Sequence, residues 1–212
     1  MIIVYDLKKS SMKKVTLIFN YRKIEDLIDV ISEPNRSICI KILEDNRKLF
    51  ETARGSTHNH QTWDGGYIDH ITDGMNLIPY LFQMLYGTGR PLPFSMSDAL
   101  LIFFIHDLEK PWRILVDNEG RASNQKGITT KEEFAEFRNK KLQEYGLVLT
   151  DAQANAFKYI EGEYKDYSSE RRVSNELAAF CHMVDTWCAR GWYDYPKAEN
   201  DEWIGAHRVR TT

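Results

Sequence analysis

Several kinds of segment are absent from this 212-residue chain. No apolar run approaches the roughly 20 residues that a membrane helix needs. The first residues, 1–7, are interrupted by Asp6 and followed by Lys8-Lys9 rather than by a cleavage site, so secretion is not expected. The three cysteines, Cys39, Cys181 and Cys188, form no CxxC pair, and an odd count suits reduced thiols in a cytoplasmic protein. All three read as core residues. A formal net charge of −3 gives no bulk electrostatic drive toward extended nucleic acid, and a local basic pocket is the only such surface it allows. Internal repeats and low-complexity tracts are missing as well. What remains is enough apolar side chain, 42% of residues, to bury one substantial core, so a single domain over 1–212 is expected.

Periodicity makes that domain mainly helical. Residues 2–7 and 15–21 alternate in character and predict a short N-terminal β-hairpin. From Lys23 the spacing becomes helical: Ile24, Leu27, Ile28 and Ile31 up to Glu33-Pro34-Asn35, then Ile38, Ile42, Leu43 and Phe50. A polar loop over 55–66 precedes a helix carrying Ile68, Ile71, Met75, Ile78, Leu81, Phe82 and Leu85, in which Pro79 is a possible kink. Ser95, with Asp98 three residues on, caps the strongly apolar run 99–105, the expected buried centre, which Pro111 should end. Residues 117–127 read as a mobile loop. Thr130 with Glu133 opens a charged helix ending at Gly146, and Thr150 with Gln153 opens another. A last helix is expected from Ser168 or Ser169 through Trp187 to Gly191, with no element after Trp192. The fold class is all-α.

Within this frame His106-Asp107, adjacent at the end of the most apolar helix, needs an explanation, because isolated buried ionisable groups are costly. His70 opens another apolar helix, and Asp185 interrupts the apolar stretch 177–187. Each has an ordinary reading by itself. His70 can sit at the surface or cap a helix, His106 can satisfy a backbone group, and Asp185 can pair with Arg190 or Arg172. Together they supply imidazole and carboxylate ligands from three segments, which is what a divalent-metal centre requires. Successive helical residues project about 100° apart, so His106 and Asp107 share an ion only if it lies between those directions, against the helix end.

The run Gly65-Gly66-Tyr67-Ile68-Asp69-His70, the run His106-Asp107-Leu108-Glu109-Lys110-Pro111 and the late Val184-Asp185 resemble, in order and spacing over about 55–190, the HD-domain superfamily of metal-dependent phosphohydrolases. The resemblance implies an HD-like helical bundle, with His70, His106, Asp107 and Asp185 as metal ligands. It gives Asp107 the further role of holding a second ion or orienting the attacking water, and Lys110 contact with substrate phosphate. The chain departs from the pattern at Glu109, where glycine is usual, and at Lys110, where members acting on nucleoside monophosphates tend to carry the glutamate that serves as acid. No histidine lies between Asp107 and His182, where two-metal members place further ligands, so one bound ion is expected. Glu161 stands in that region as a candidate ligand or base, or as a solvated residue.

His58 and His60, at alternate positions, are candidates for the substrate entrance or for assisting the leaving group. His182, one turn before Asp185, is a candidate substrate contact. Arg113, Lys126, Arg121, Arg171 and Arg172 are candidate phosphate contacts. Trp63, Trp112, Trp187 and Trp192 can stack a base or simply pack. The activity implied is hydrolysis of a nucleotide, a nucleoside mono- or triphosphate, by metal-activated water. The ion is divalent: Mn, Fe, Co, Ni, Zn and Mg are not distinguished. The alternatives are a cyclic-nucleotide or RNA 3′-end phosphodiesterase of the same type, and a catalytically degenerate nucleotide-binding module. The expected partner is a small nucleotide, without membrane or extended nucleic acid, and a homo-oligomer stays open.

Overall fold

Seven consecutive apolar residues, Ala99 to Ile105, can be buried on all sides only in the middle of a protein, and that is where the computed structural model puts them. It describes residues 20–192. The elements run α1 (Ile24–Ile28), α2 (Asn35–Thr52), α3 (Gly66–Tyr86), α4 (Met96–Ile105), α5 (Lys110–Arg113), β1 (Ile114–Val116), β2 (Ala122–Asn124), α6 (Lys131–Tyr145), α7 (Asp151–Tyr159), a 3-10 turn (Tyr164–Asp166) and α8 (Glu176–Arg190). The class is all-α, with one small antiparallel hairpin among the described residues. The central α4 packs against α3, α7 and α8, and α3 also contacts α2 and α8. One hydrophobic core joins all of these, with Leu27, Phe50, Ile71, Phe103, Ile160 and Val184 among its members. No described helix is long and apolar enough to cross a membrane.

The capping signals set the helix starts. Ser95, Thr130 and Thr150 each accept from the backbone N–H three residues on, and Asp98, Glu133 and Gln153 each bond back to the cap's own N–H. Such a cap is worth about 1 kcal/mol. Gly146 closes α6 at φ 71°, a left-handed conformation that suits glycine. All three cysteines are buried.

The predicted N-terminal hairpin, over 2–7 and 15–21, lies almost wholly outside the described residues. Several other expectations need correction. Among the described residues a hairpin joins β1 to β2, pairing Ile114 with Asn124 and Val116 with Ala122, and its turn and second strand fall in the stretch 117–127 read as a mobile loop. Its turn is built by Asp117, whose carboxylate accepts from the backbone N–H of Glu119 and Arg121, with Gly120 at φ 78°. The last helix opens at Asn175, not at Ser168 or Ser169. Residues 168–172 offer no apolar side chain to bury, and the chain is stitched to α7 instead, Asn155 bonding the Val173 carbonyl and the Asn175 N–H. Finally, α4 stops at Ile105 with His106 as its cap, and Pro111 lies inside the short α5 that follows.

Candidate metal centre

Three segments bring the ligand-type residues together, and small residues let them approach. Gly74, one turn beyond His70 on α3, faces α4 so closely that a Cβ there would lie 2.1 Å from the Phe103 ring. Without that side chain the two helices close up, and the His70 and His106 rings sit 5.5 Å apart between centroids. Gly66 does the same for the preceding loop: a Cβ on it would stand 1.9 Å from the Gln61 carbonyl oxygen. The third segment is α8, which carries Asp185.

Nε2 of His70 lies 3.4 Å from Nε2 of His106 and 3.1 Å from Oδ1 of Asp185. Nε2 of His106 is 3.5 Å from that same oxygen. These three donor atoms all fall within 4.8 Å of one another. Oδ2 of Asp107 adds a fourth, 3.6 Å from His70 Nε2 and 3.2 Å from His106 Nε2. Donors about 2.1 Å from a common ion stand about 3.0–3.4 Å apart at adjacent coordination positions, so the spacing suits one cation among His70, His106 and Asp185, with Asp107 adjoining the two imidazoles. His106 is also in the right tautomer. Its Nδ1 donates to the Phe103 carbonyl at 2.7 Å, so in the neutral ring the lone pair is on Nε2, facing the cluster. The ordinary reading of His106 thus holds at one ring nitrogen, and the other is free for a ligand. His70 is wholly buried, and its Nδ1 has no hydrogen-bond partner among the described residues. Asp185 faces the two imidazoles.

The electrostatics favour positive charge at this point. Burial works against the charged forms of His106 and Asp185, yet the neighbouring carboxylates raise His106 to about 10 and the imidazoles hold Asp185 well below the usual carboxylate range. Asp107, equally buried, is also held low by His106 and Lys110. The Lys110 ammonium contacts Asp107 Oδ2 directly. Burial opposes the charge on Lys110, but Asp107 outweighs it and the ammonium is kept protonated.

These groups open onto a cavity of about 360 Å³ lined by His60, Asp107, Lys110, Glu161, His182 and Asp185, with Asn59, Lys131, Tyr164 and Arg190 toward its rim. His60 reaches it, its ring 5.2 Å from that of His70. His58 does not: it is exposed and absent from the lining. The segment is bent rather than extended, because Ser56 Oγ accepts from the N–H groups of both Asn59 and His60, so alternate residues no longer share a side. His182 lines the cavity through an imidazole whose Nδ1 bonds the Ile160 carbonyl at 2.6 Å.

The other candidates lie elsewhere. Lys126, Arg171 and Arg172 are exposed and off the cavity, and Arg121 pairs with Asp117 and Glu119. Arg113 is buried away from the lining, donating to Asn124 Oδ1 at 2.8 Å and covering the Phe134 ring. Glu109 turns from the metal cluster toward Arg113 and Arg138, each 3.6 Å away. Burial, with Asp107 adding to it, pushes Glu109 up to about 7 despite those guanidinium groups. Arg138 carries no role in the sequence reading. It is buried, donates to the His106 carbonyl at 2.7 Å and reaches Glu161 at 3.3 Å. Its signal was present: Phe134, Arg138 and Leu142 recur at four-residue spacing, an arginine within an apolar stripe. Lys131, whose ammonium lies over the Tyr164 ring, and Gln61, which is wholly buried, carried no comparable signal.

No protein-family model, no curated protein and no solved structure matches this chain.

Proposed function

We propose that this protein is a metal-dependent phosphohydrolase acting on a small nucleotide. The observation that carries this reading is the convergence of His70, His106 and Asp185, with Asp107 beside the two imidazoles, at a cavity that also presents Lys110. The motif order that resembles HD-type phosphohydrolases supports it independently. The donor set, two imidazoles and two carboxylates, suits a divalent first-row metal or magnesium. Such an ion, when bound, supplies Lewis-acid polarisation of a phosphoryl oxygen and a more acidic water.

The protein's own groups account for the rest. Lys110, buried on Asp107, is placed to hold a non-bridging phosphate oxygen beside the ligand cluster. Lys131 and Arg190 at the rim offer further positive charge to the remainder of an anionic substrate. Glu161, in the cavity lining and tethered by Arg138, is the carboxylate available to accept a proton. The ligand-type side chains sit on packed helices or in the turn after α4, which keeps the geometry constant through a reaction.

A second reading, a module that holds nucleotide and metal without turnover, is favoured by one feature: the Lys110 ammonium already neutralises Asp107. Incubation of the purified protein with Mn²⁺ or Co²⁺ and a panel of nucleoside mono-, di- and triphosphates and cyclic nucleotides, with products identified, separates the two. Metal-dependent release of phosphate, pyrophosphate or triphosphate supports hydrolysis. Tight metal and nucleotide binding with no product from any member of the panel supports the binding module.

A further inference from the structure

The loop before α3 contains a side chain whose polar atoms are all committed. Gln61 is fully buried, and its Nε2 lies 3.0 Å from the Cys188 carbonyl oxygen and 3.3 Å from that of Trp192. Two carbonyl acceptors can be met only by the NH₂ end of the carboxamide, so the other end is the oxygen. That oxygen, Oε1, faces Nδ1 of His60 at 2.5 Å. An amide oxygen cannot donate, so His60 Nδ1 carries the proton in this contact. In a neutral imidazole the second nitrogen is then an acceptor.

The position is specified from the backbone as well. Gln61 adopts φ 41°, a left-handed conformation uncommon for a residue other than glycine, and its carbonyl accepts from Gly55 N–H at 2.9 Å. Cys188 belongs to the last turn of α8, whose final carbonyls have no partner within the helix. It lies three residues beyond Asp185. Gln61 therefore ties the His60 loop to the same helix that delivers Asp185 to the ligand cluster.

We infer that Gln61 is a positioning residue: its carboxamide bridges the end of α8 to His60, fixes that imidazole as the Nδ1–H tautomer and presents Nε2 on the cavity wall as an acceptor. The group this suits is a water or hydroxyl donor in the cavity beside His70. The inference stands apart from whether the cavity hydrolyses a phosphoester.

The test is the tautomer itself. Long-range ¹H–¹⁵N correlation spectra of the full chain at pH 7.5, with His60 assigned through a His60→Asn variant, should show a protonated Nδ1 and an unprotonated Nε2. In Gln61→Met, similar in volume but unable to bridge, His60 should revert to the Nε2–H form that free histidine favours, with bound metal content unchanged. An Nε2–H or doubly protonated His60 in the wild type overturns the inference, and so does a tautomer unaffected by Gln61→Met. Should that variant fail to fold, the wild-type spectrum decides.

Discussion

Two clusters of ionisable side chains flank the turn after α4, and they balance their charge differently. On one side His70, His106, Asp107 and Asp185 place imidazole nitrogens and carboxylates face to face, the two carboxylates being offset by the Lys110 ammonium and by a proton that the imidazoles take up and a metal ion could replace. On the other, Glu109 and Glu161 meet Arg113 and Arg138 and are matched in charge. The first cluster lines a cavity and has room for a cation from outside. In the second the guanidinium groups are covered by aromatic rings, Arg113 over Phe134 and Arg138 near Phe157, and Glu161 is the member that reaches the cavity. Residues 106–110 thus feed a candidate metal site and a structural brace from a single turn. What separates them is an unbalanced set of electron-pair donors facing open space.

Breaking the first cluster should have the largest effect on function and a modest one on folding. Asp107→Ala or His106→Ala removes a ligand, and the loss of divalent-metal affinity should exceed the roughly 10–100-fold that outer-shell changes cost. Metal analysis after gel filtration reads this directly, and full retention of metal would remove these residues from the site. Breaking the brace should do the reverse. Arg138→Met leaves Glu109 with Arg113 alone and the His106 carbonyl without its side-chain donor, a change worth roughly 1–3 kcal/mol. Urea unfolding measures it, and adding Glu109→Gln should recover part of the loss. Simple additivity of the two changes would show that they do not interact.

A smaller effect sharpens how the clusters are assembled. Gly74→Ala puts a methyl 2.1 Å from the Phe103 ring and should cost about 1–3 kcal/mol by prising α3 from α4. Because His70 and His106 ride on those helices, metal affinity should fall along with the melting temperature. Unchanged affinity would mean that helix separation does not set the donor spacing. The smallest effect concerns the thiols. Burial pushes Cys39 up to about 12 and raises Cys181 further, so neither should react with a thiol reagent at pH 8 until the protein is unfolded. Rapid labelling of the native protein would contradict the burial.

Much of the scaffold could be read from the sequence because it rests on local rules. The three capping boxes, the αL glycine after α6 and the run 99–105 depend on neighbours within four residues. Errors arose where tertiary contacts decide. The span 168–175 stays irregular because Asn155 and Glu163 bind it to distant segments, and the hairpin at 114–124 hangs on a single Asp117 turn. The ligand-type residues were legible since ionisable groups in apolar stretches demand partners. Arg138 carried the same kind of signal within the stripe of Phe134 and Leu142, but its partner, the His106 carbonyl 32 residues away, could not be read from it; Gln61 carried no signal, because its partner Cys188 lies 127 residues away.

A crystal grown with Mn²⁺ and measured at the manganese edge asks the central question most directly. An anomalous peak about 2.0–2.3 Å from His70 Nε2, His106 Nε2 and an oxygen of Asp185, with Asp107 adjoining, is the expected result. Anomalous density elsewhere in the molecule with none between His70 and His106, and Lys110 still seated on Asp107, would contradict a metal centre at this turn.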